Sequence, residues 1–197
     1  LAGTRIIPLV IEKEKMHKAA AICADGPILE LKEFHKKKVG IITTGNEVYH
    51  KRIEDTFTPV IKEKLAEYDT EVIYHEIFDD NHEKITKGCL TAIEKGADLV
   101  ICTGGMSVDP DDKTPLAIKN TGAEIVSYGA PVLPGAMFLL SYYKNDIPIL
   151  GLPGCVMYAK RTIFDLVLPR IMADDEIFAE EVAAYGEGGL CLNCKVC

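Results

Sequence analysis

Short apolar runs alternate with stretches of helical spacing along the chain from Val39 onward. Val39–Thr43, Glu71–Ile77, Asp98–Cys102 and Pro148–Gly151 are expected to be strands, with a shorter one near Glu124–Ser127. Between them, apolar positions three and four residues apart predict helices over Glu54–Tyr68, His82–Lys95, Thr114–Asn120 and Cys155–Met172. Regular alternation of strand and helix implies right-handed βαβ units around a parallel sheet. The strands VGII, DLVICT and IPILGL are nearly unbroken apolar runs, as expected when helices cover both faces of the sheet. The expected fold is therefore α/β, a three-layer α/β/α domain with a mostly parallel, doubly wound sheet over residues 38–175. Ligands of such sheets bind beyond the carboxyl ends of the strands, so the loops that follow strands are the ones to search for chemistry.

The flanks are less regular. Arg5–Ile11 is an apolar, β-branched run that suggests an opening strand, and Glu12–Cys23 has helical spacing with Met16, Ala19, Ala20 and Cys23 on one side. After the Asp25-Gly26-Pro27 turn signal, Ile28–Phe34 alternates like a short strand ahead of Lys36-Lys37-Lys38, a solvated junction. Residues 1–37 are thus expected to be a strand-helix appendage from a preceding domain or linker, and residues 176–197 a linker with a cysteine-rich tail. A chain that opens on Leu1 and closes on Cys197, inside a repeating cysteine pattern, is expected to be a fragment of something longer.

Composition narrows the functions. Of the 197 residues 48% are hydrophobic and 26% charged, enough for a packed core and too balanced for a disordered chain. The formal net charge of -8 argues against binding a nucleic-acid backbone, which needs many Lys and Arg contacts. It still permits a small anion, since backbone N–H groups at strand-to-helix turns hold phosphate without net positive charge. Neither a membrane span nor a secretory signal is present in the sequence, so the cytosol is the expected compartment. Cys23, Cys89, Cys102 and Cys155 are scattered singly, as fits reduced thiols.

Three strand ends carry the candidate chemistry. Thr43-Thr44-Gly45-Asn46-Glu47 combines small residues, which let backbone approach a ligand, with a carboxylate. Thr103-Gly104-Gly105-Met106-Ser107 offers N–H and hydroxyl donors to a phosphate, and Asp112-Lys113-Thr114-Pro115 marks a helix start with an early proline. Asp109, Asp111 and Asp112 would repel one another unless they share a cation, Mg²⁺ being the natural one, or unless one caps the helix while the others face water. Gly151-Leu152-Pro153-Gly154-Cys155 ends another apolar strand, and Cys155 is expected to pack or touch ligand rather than act as a nucleophile. His75 and His82 are expected to be structural or solvated.

With these loops the chain resembles the molybdopterin-binding domain family, which includes molybdopterin adenylyltransferases and molybdenumtransferases. The matching stretches are TTGNEV at Thr43–Val48, FDDN at Phe78–Asn81, TGGMSVDPDDKTP at Thr103–Pro115 and GLPG at Gly151–Gly154. The resemblance implies a parallel-sheet domain, often self-associated, with a pterin phosphate across these loops. Carried over by motif, Thr43, Thr44, Gly45 and Asn46 from the first loop would bind molybdopterin. Thr103, Gly104, Gly105, Ser107 and Thr114 from the second, with Pro153 and Gly154 from the third, would join them. Glu47, Asp109 and Asp112 would be the catalytic acids, with Asp109 and Asp112 supporting Mg²⁺.

TTGNEV is more like the molybdenumtransferases, which insert molybdate into adenylylated molybdopterin and release AMP; DDKTP is more like the adenylyltransferases. Two positions depart from the molybdenumtransferase pattern: Asp109-Pro110 stands where Gly is usual after SV, and Cys155-Val156 where Asn-Pro is usual after LPG. The expected activity is therefore insertion, with two alternatives: a non-catalytic module that senses or delivers the cofactor, and a nucleotide pyrophosphate hydrolase like the competence-damage proteins. In the tail, Cys191, Cys194 and Cys197 form two overlapping C-x-x-C spacings, suited to zinc or an iron–sulfur cluster, or else are free thiols of a disordered tail.

Overall fold

A computed structural model describes residues 7–188 except 23, 25, 28, 108 and 110. The chain divides into two units, Leu1–Glu33 and Phe34–Cys197. The first contains helix α1 (Lys13–Ile22). Its described residues 7–11 form bends and irregular backbone, not the expected strand, and residues 29–34 are likewise irregular. Ile7, Leu9 and Val10 are exposed, and an apolar run becomes a strand only where a neighbour pairs its N–H and C=O groups.

The second unit holds β1 (Lys37–Thr44), α2 (Asn46–Tyr49), α3 (Phe57–Leu65), β2 (Thr70–Phe78), α4 (His82–Glu94), β3 (Leu99–Thr103) and α5 (Thr114–Asn120). It continues with β4 (Glu124–Tyr128), β5 (Leu139–Tyr143), β6 (Ile147–Leu152), α6 (Ile163–Met172) and α7 (Ala179–Ala184). The strands form one sheet in the order β2-β1-β3-β6-β5-β4. β2, β1, β3 and β6 are parallel, while β5 runs antiparallel to β6 and β4 antiparallel to β5.

Side-chain alternation along each strand builds two cores. Val39 and Ile41 of β1 and Leu99 and Ile101 of β3 point to one face, against Ile61 and Leu65 of α3 and Phe164, Val167 and Leu168 of α6. Ile42, Val100 and Cys102 point to the other, against Ile85, Cys89 and Ala92 of α4 and Ala117 and Ile118 of α5. This is the expected three-layer α/β/α arrangement. The buried positions 85, 89 and 92 follow helical periodicity, and the Asn81 side chain starts α4 by accepting from the N–H groups of Glu83 and Lys84.

Several elements of the second unit differ from expectation: α2 and α7 were not foreseen, and two further differences have local causes. The helix expected over residues 155–172 is broken: a 3-10 turn at Gly154–Met157 precedes α6, which begins afresh at Thr162. Thr162 and Asp165 form a capping box, and Asp165 is also held by Lys64 of α3 at 2.5 Å. The strand β5 was not foreseen. It joins β6 through a tight turn in which Lys144 and Asn145 both have positive φ, the backbone a short hairpin loop demands. Cys89 and Cys102, on the consecutive elements α4 and β3, are brought to an Sγ–Sγ distance of 3.5 Å inside the core. Among the described residues no helix is long and apolar enough to cross a membrane.

From β1 the chain passes to β2 on one side, and after α4 it returns to β3 on the other. Loops leaving β1 and β3 therefore diverge to opposite faces, which opens a crevice at their carboxyl ends.

Candidate functional site

A cleft of about 550 Å³ lies at that crevice. Its lining comes from three loops: Thr44, Gly45, Asn46, Glu47 and Val48 after β1, Asp80 after β2, and Gly105, Asp109, Asp111, Asp112 and Lys113 after β3. Ile53 and Phe57 add an apolar wall.

The floor is set by contact between the β1 and β3 loops. The hydroxyls of Thr44 and Thr114 lie 3.1 Å apart, and Thr114 donates to the Gly104 carbonyl at 2.8 Å. Gly104 and Gly105 both take positive φ, 84° and 54°. A Cβ on Gly104 would run into the backbone carbonyl of Thr44, so this crossing needs glycine for space as well as for conformation. One wall is a reciprocal pair: the Asn46 N–H donates to Asp80 Oδ2 at 3.2 Å and the Asp80 N–H to Asn46 Oδ1 at 3.4 Å, while the Gly45 N–H reaches the Phe78 carbonyl.

The acidic loop on the opposite side is shaped from within. Asp112 Oδ2 accepts from the Ser107 N–H at 2.5 Å and from its hydroxyl at 2.8 Å, and Asp109 Oδ1 accepts from the Asp111 N–H at 3.0 Å. Asp112 thus stabilises the turn that leads into α5, whose early proline is as expected. The cleft carries Glu47, Asp80, Asp109, Asp111 and Asp112 against one cation, Lys113. An anionic ligand entering it must bring or recruit positive charge.

Of the residues expected to bind ligand, Thr44, Gly45, Asn46, Glu47, Gly105, Asp109 and Asp112 meet at the cleft. Thr114 and Gly104 support its floor and Ser107 supports its acidic loop. Pro153 is buried and Gly154 exposed, and neither lines the cleft. Thr103 is fully buried and its hydroxyl has no partner among the described residues.

Thr43 is also fully buried, on the α3 face. Its hydroxyl lies 3.1 Å from that of Thr58, 3.3 Å from His75 Nε2 and 3.5 Å from Asp55 Oδ2. Burial is the main cause that lowers the His75 pKa, with Lys62 acting the same way and Asp55 opposing.

Burial also pushes the Cys155 thiol up, against the opposing effect of the N–H groups of Cys155 and Val156. Ile53, Phe57 and Asp55 were not singled out in the sequence; His75 was expected to be structural or solvated, and Asp80 lay within the FDDN stretch without an assigned role. Among the described residues no group of three or more His, Cys, Asp or Glu is arranged to hold a metal ion by itself. Cys191, Cys194 and Cys197 lie outside the described residues.

Comparison with known proteins gives one family and relatives of two kinds. The profile of a family described as a probable molybdopterin binding domain matches residues 40–173. A molybdopterin molybdenumtransferase of Haemophilus influenzae is 31% identical over 151 residues, 73% of this chain and 37% of the relative. A putative competence-damage inducible protein of Bacillus velezensis is 36% identical over 85 residues, 43% of this chain and 20% of the relative. The chain therefore spans well under half the length of these curated relatives. Among solved structures, the tungsten cofactor synthesizing protein of Pyrococcus furiosus superposes with a TM-score of 0.56 at 21% identity, covering 72% of this chain and 98% of that one. The protein CinA of Thermoplasma acidophilum, of unknown function, does so with 0.56 at 19% identity, covering 69% and 98%. At these identities the two structures speak for the fold alone.

Proposed function

The chain belongs to the molybdopterin-binding domain family, and from that premise we propose that the cleft between the ends of β1 and β3 holds the pterin phosphate during the insertion of molybdate into adenylylated molybdopterin. The observation that carries this reading is the interlock of Thr44, Thr114 and Gly104. It places two glycine-containing turns side by side at the topological switch point of the sheet. Backbone N–H groups of the Gly104-Gly105 turn are the donors suited to phosphate oxygens, since those of Gly45 and Asn46 are engaged by Phe78 and Asp80.

The acidic side of the cleft fits Mg²⁺ bound jointly by one or two carboxylates and the ligand's phosphate, with Asp109 and Asp112 as the protein's share. Mg²⁺ held there would neutralise the phosphate beside the carboxylates. Glu47 completes the catalytic acids, and Lys113 supplies the cleft's own positive charge. Molybdate as second substrate, self-association and a cytoplasmic setting belong to the same proposal. So does a zinc or iron–sulfur site at Cys191, Cys194 and Cys197, which metal analysis of the purified protein would decide.

The match to the Haemophilus influenzae molybdenumtransferase supports insertion. The match to the Bacillus velezensis protein keeps a nucleotide pyrophosphate hydrolase as a second reading. Incubation with adenylylated molybdopterin, molybdate and Mg²⁺ separates them. Insertion predicts AMP release that depends on molybdate together with metal incorporation, whereas the hydrolase would cleave nucleotide pyrophosphates without molybdate. Binding of the pterin with neither reaction would leave a carrier or sensor module.

A further inference from the structure

Beside the apolar wall of the cleft, four polar side chains meet from β1, β2, α3 and the turn before α3, with Thr43 and Thr58 buried, Asp55 nearly so and His75 28% exposed. Asp55 Oδ1 accepts from the N–H groups of Phe57 at 2.9 Å and Thr58 at 3.1 Å, so it caps α3 from just outside the helix. Asp55 Oδ2 points inward, accepting from the Thr58 hydroxyl at 2.5 Å and lying 3.5 Å from the Thr43 hydroxyl. His75 Nε2 of β2 lies 3.0 Å from the Thr58 hydroxyl and 3.6 Å from the carboxylate. The Asp55 side chain is 12% exposed and Thr58 is buried.

Thr43 and Thr58 each adjoin a residue of the cleft in sequence, Thr44 and Phe57. Thr43 precedes Thr44 and Gly45 on the floor, and Asp55 lies between Ile53 and Phe57 on the wall. A single carboxylate therefore fixes the spacing between wall and floor without touching the cleft itself.

We propose that Asp55 is a positioning residue for ligand binding: through Thr58 and Thr43 it holds the Ile53–Phe57 wall at a set distance from the Thr44–Gly45 floor. The proposal rests on the cleft being the pterin site. It gives Thr43 a role in anchoring the floor instead of contacting ligand.

Asp55→Asn separates this role from helix capping. An asparagine Oδ1 still caps α3, but its amide nitrogen donates to Thr58 where the carboxylate oxygen accepted, so the charge-assisted inward tie is replaced by a reversed, neutral one. Two readouts are taken on wild type, Asp55→Asn, Thr58→Val and the double variant: hydrogen exchange of the amides in residues 44–53, and affinity for molybdopterin with Mg²⁺.

Expected for Asp55→Asn are a thermal midpoint within a few degrees of wild type, faster exchange in residues 44–53 and about tenfold weaker binding, the loss of one charge-assisted hydrogen bond. Thr58→Val is expected to add little in the double variant, because both changes cut the same tie. Unchanged exchange in Asp55→Asn overturns the proposal whatever the ligand does, and faster exchange with unchanged affinity overturns it equally. If wild type binds no pterin, the ligand reading fails, and the tie is then judged by exchange alone.

Discussion

Replacing Gly104 by alanine tests the construction of the cleft floor. Gly104 sits at φ 84°, in the region that costs an L-residue about 1–2 kcal/mol. Its new Cβ would collide with the Thr44 carbonyl, a backbone atom that cannot rotate away, and forcing a methyl into a packed contact costs about 1–3 kcal/mol more. The sum, roughly 2–5 kcal/mol, is a large share of the ~5–15 kcal/mol that holds a typical domain.

Two companions calibrate it. Gly105 has φ 54°, but a Cβ there would meet the Thr114 hydroxyl at 2.9 Å, a side-chain atom able to move, so Gly105→Ala is expected to cost about 1–2 kcal/mol. Gly154 has nothing within 4 Å of a built Cβ and no positive φ, so Gly154→Ala is expected to be neutral within about 0.5 kcal/mol. Urea denaturation followed by circular dichroism gives the three values. A Gly104→Ala protein within about 0.5 kcal/mol of wild type, or an order other than Gly104, Gly105, Gly154, would refute the reasoning.

Further outcomes follow from other contacts. Burial lowers the His75 pKa below its ordinary 6.5, so the folded protein binds fewer protons there than the unfolded chain; this contribution is complete above pH 6.5 and is lost as pH falls through the lowered value. His75→Gln is therefore expected to flatten the drop in thermal midpoint between about pH 7.5 and 5.5, and an identical drop in wild type and variant would contradict it. Lys64 and Asp165 are 11% and 5% exposed, and Lys64→Met should destabilise by about 3 kcal/mol in urea denaturation, the low end for breaking a buried pair because Arg161 also approaches Asp165. Asp112→Ala should leave stability within about 1 kcal/mol, since its bonds to Ser107 are exposed, yet weaken Mg²⁺-dependent pterin binding about tenfold or more by calorimetry.

How much of this was legible in the sequence follows from which forces act locally. β1, β3 and β6 could be read because both of their faces are buried, and the chain advertises that as unbroken apolar runs. β5 was hidden because it returns by a hairpin, not a helical crossover, and the Lys144-Asn145 turn is only a weak local signal. The break before α6 was written in Thr162 and Asp165, but an apolar spacing that continues across the break suggested one long helix.

At the site, the glycines at strand ends located the cleft, because a backbone that must come close to another leaves a compositional mark. Which of Thr43 and Thr44 faces it was not readable: adjacent strand residues point to opposite sides, and a one-residue difference in phase exchanges their surroundings. The Asp55–His75 tie joins residues 20 positions apart through the register of β1 with β2, which is information held only by the folded sheet.

The most direct test of the central claim is calorimetric titration of the purified chain with molybdopterin and with its adenylylated form, each with and without Mg²⁺. The account predicts saturable binding at one site per chain, tighter with Mg²⁺ and strongest for the adenylylated form; absence of binding by both forms in the presence of Mg²⁺ would contradict it.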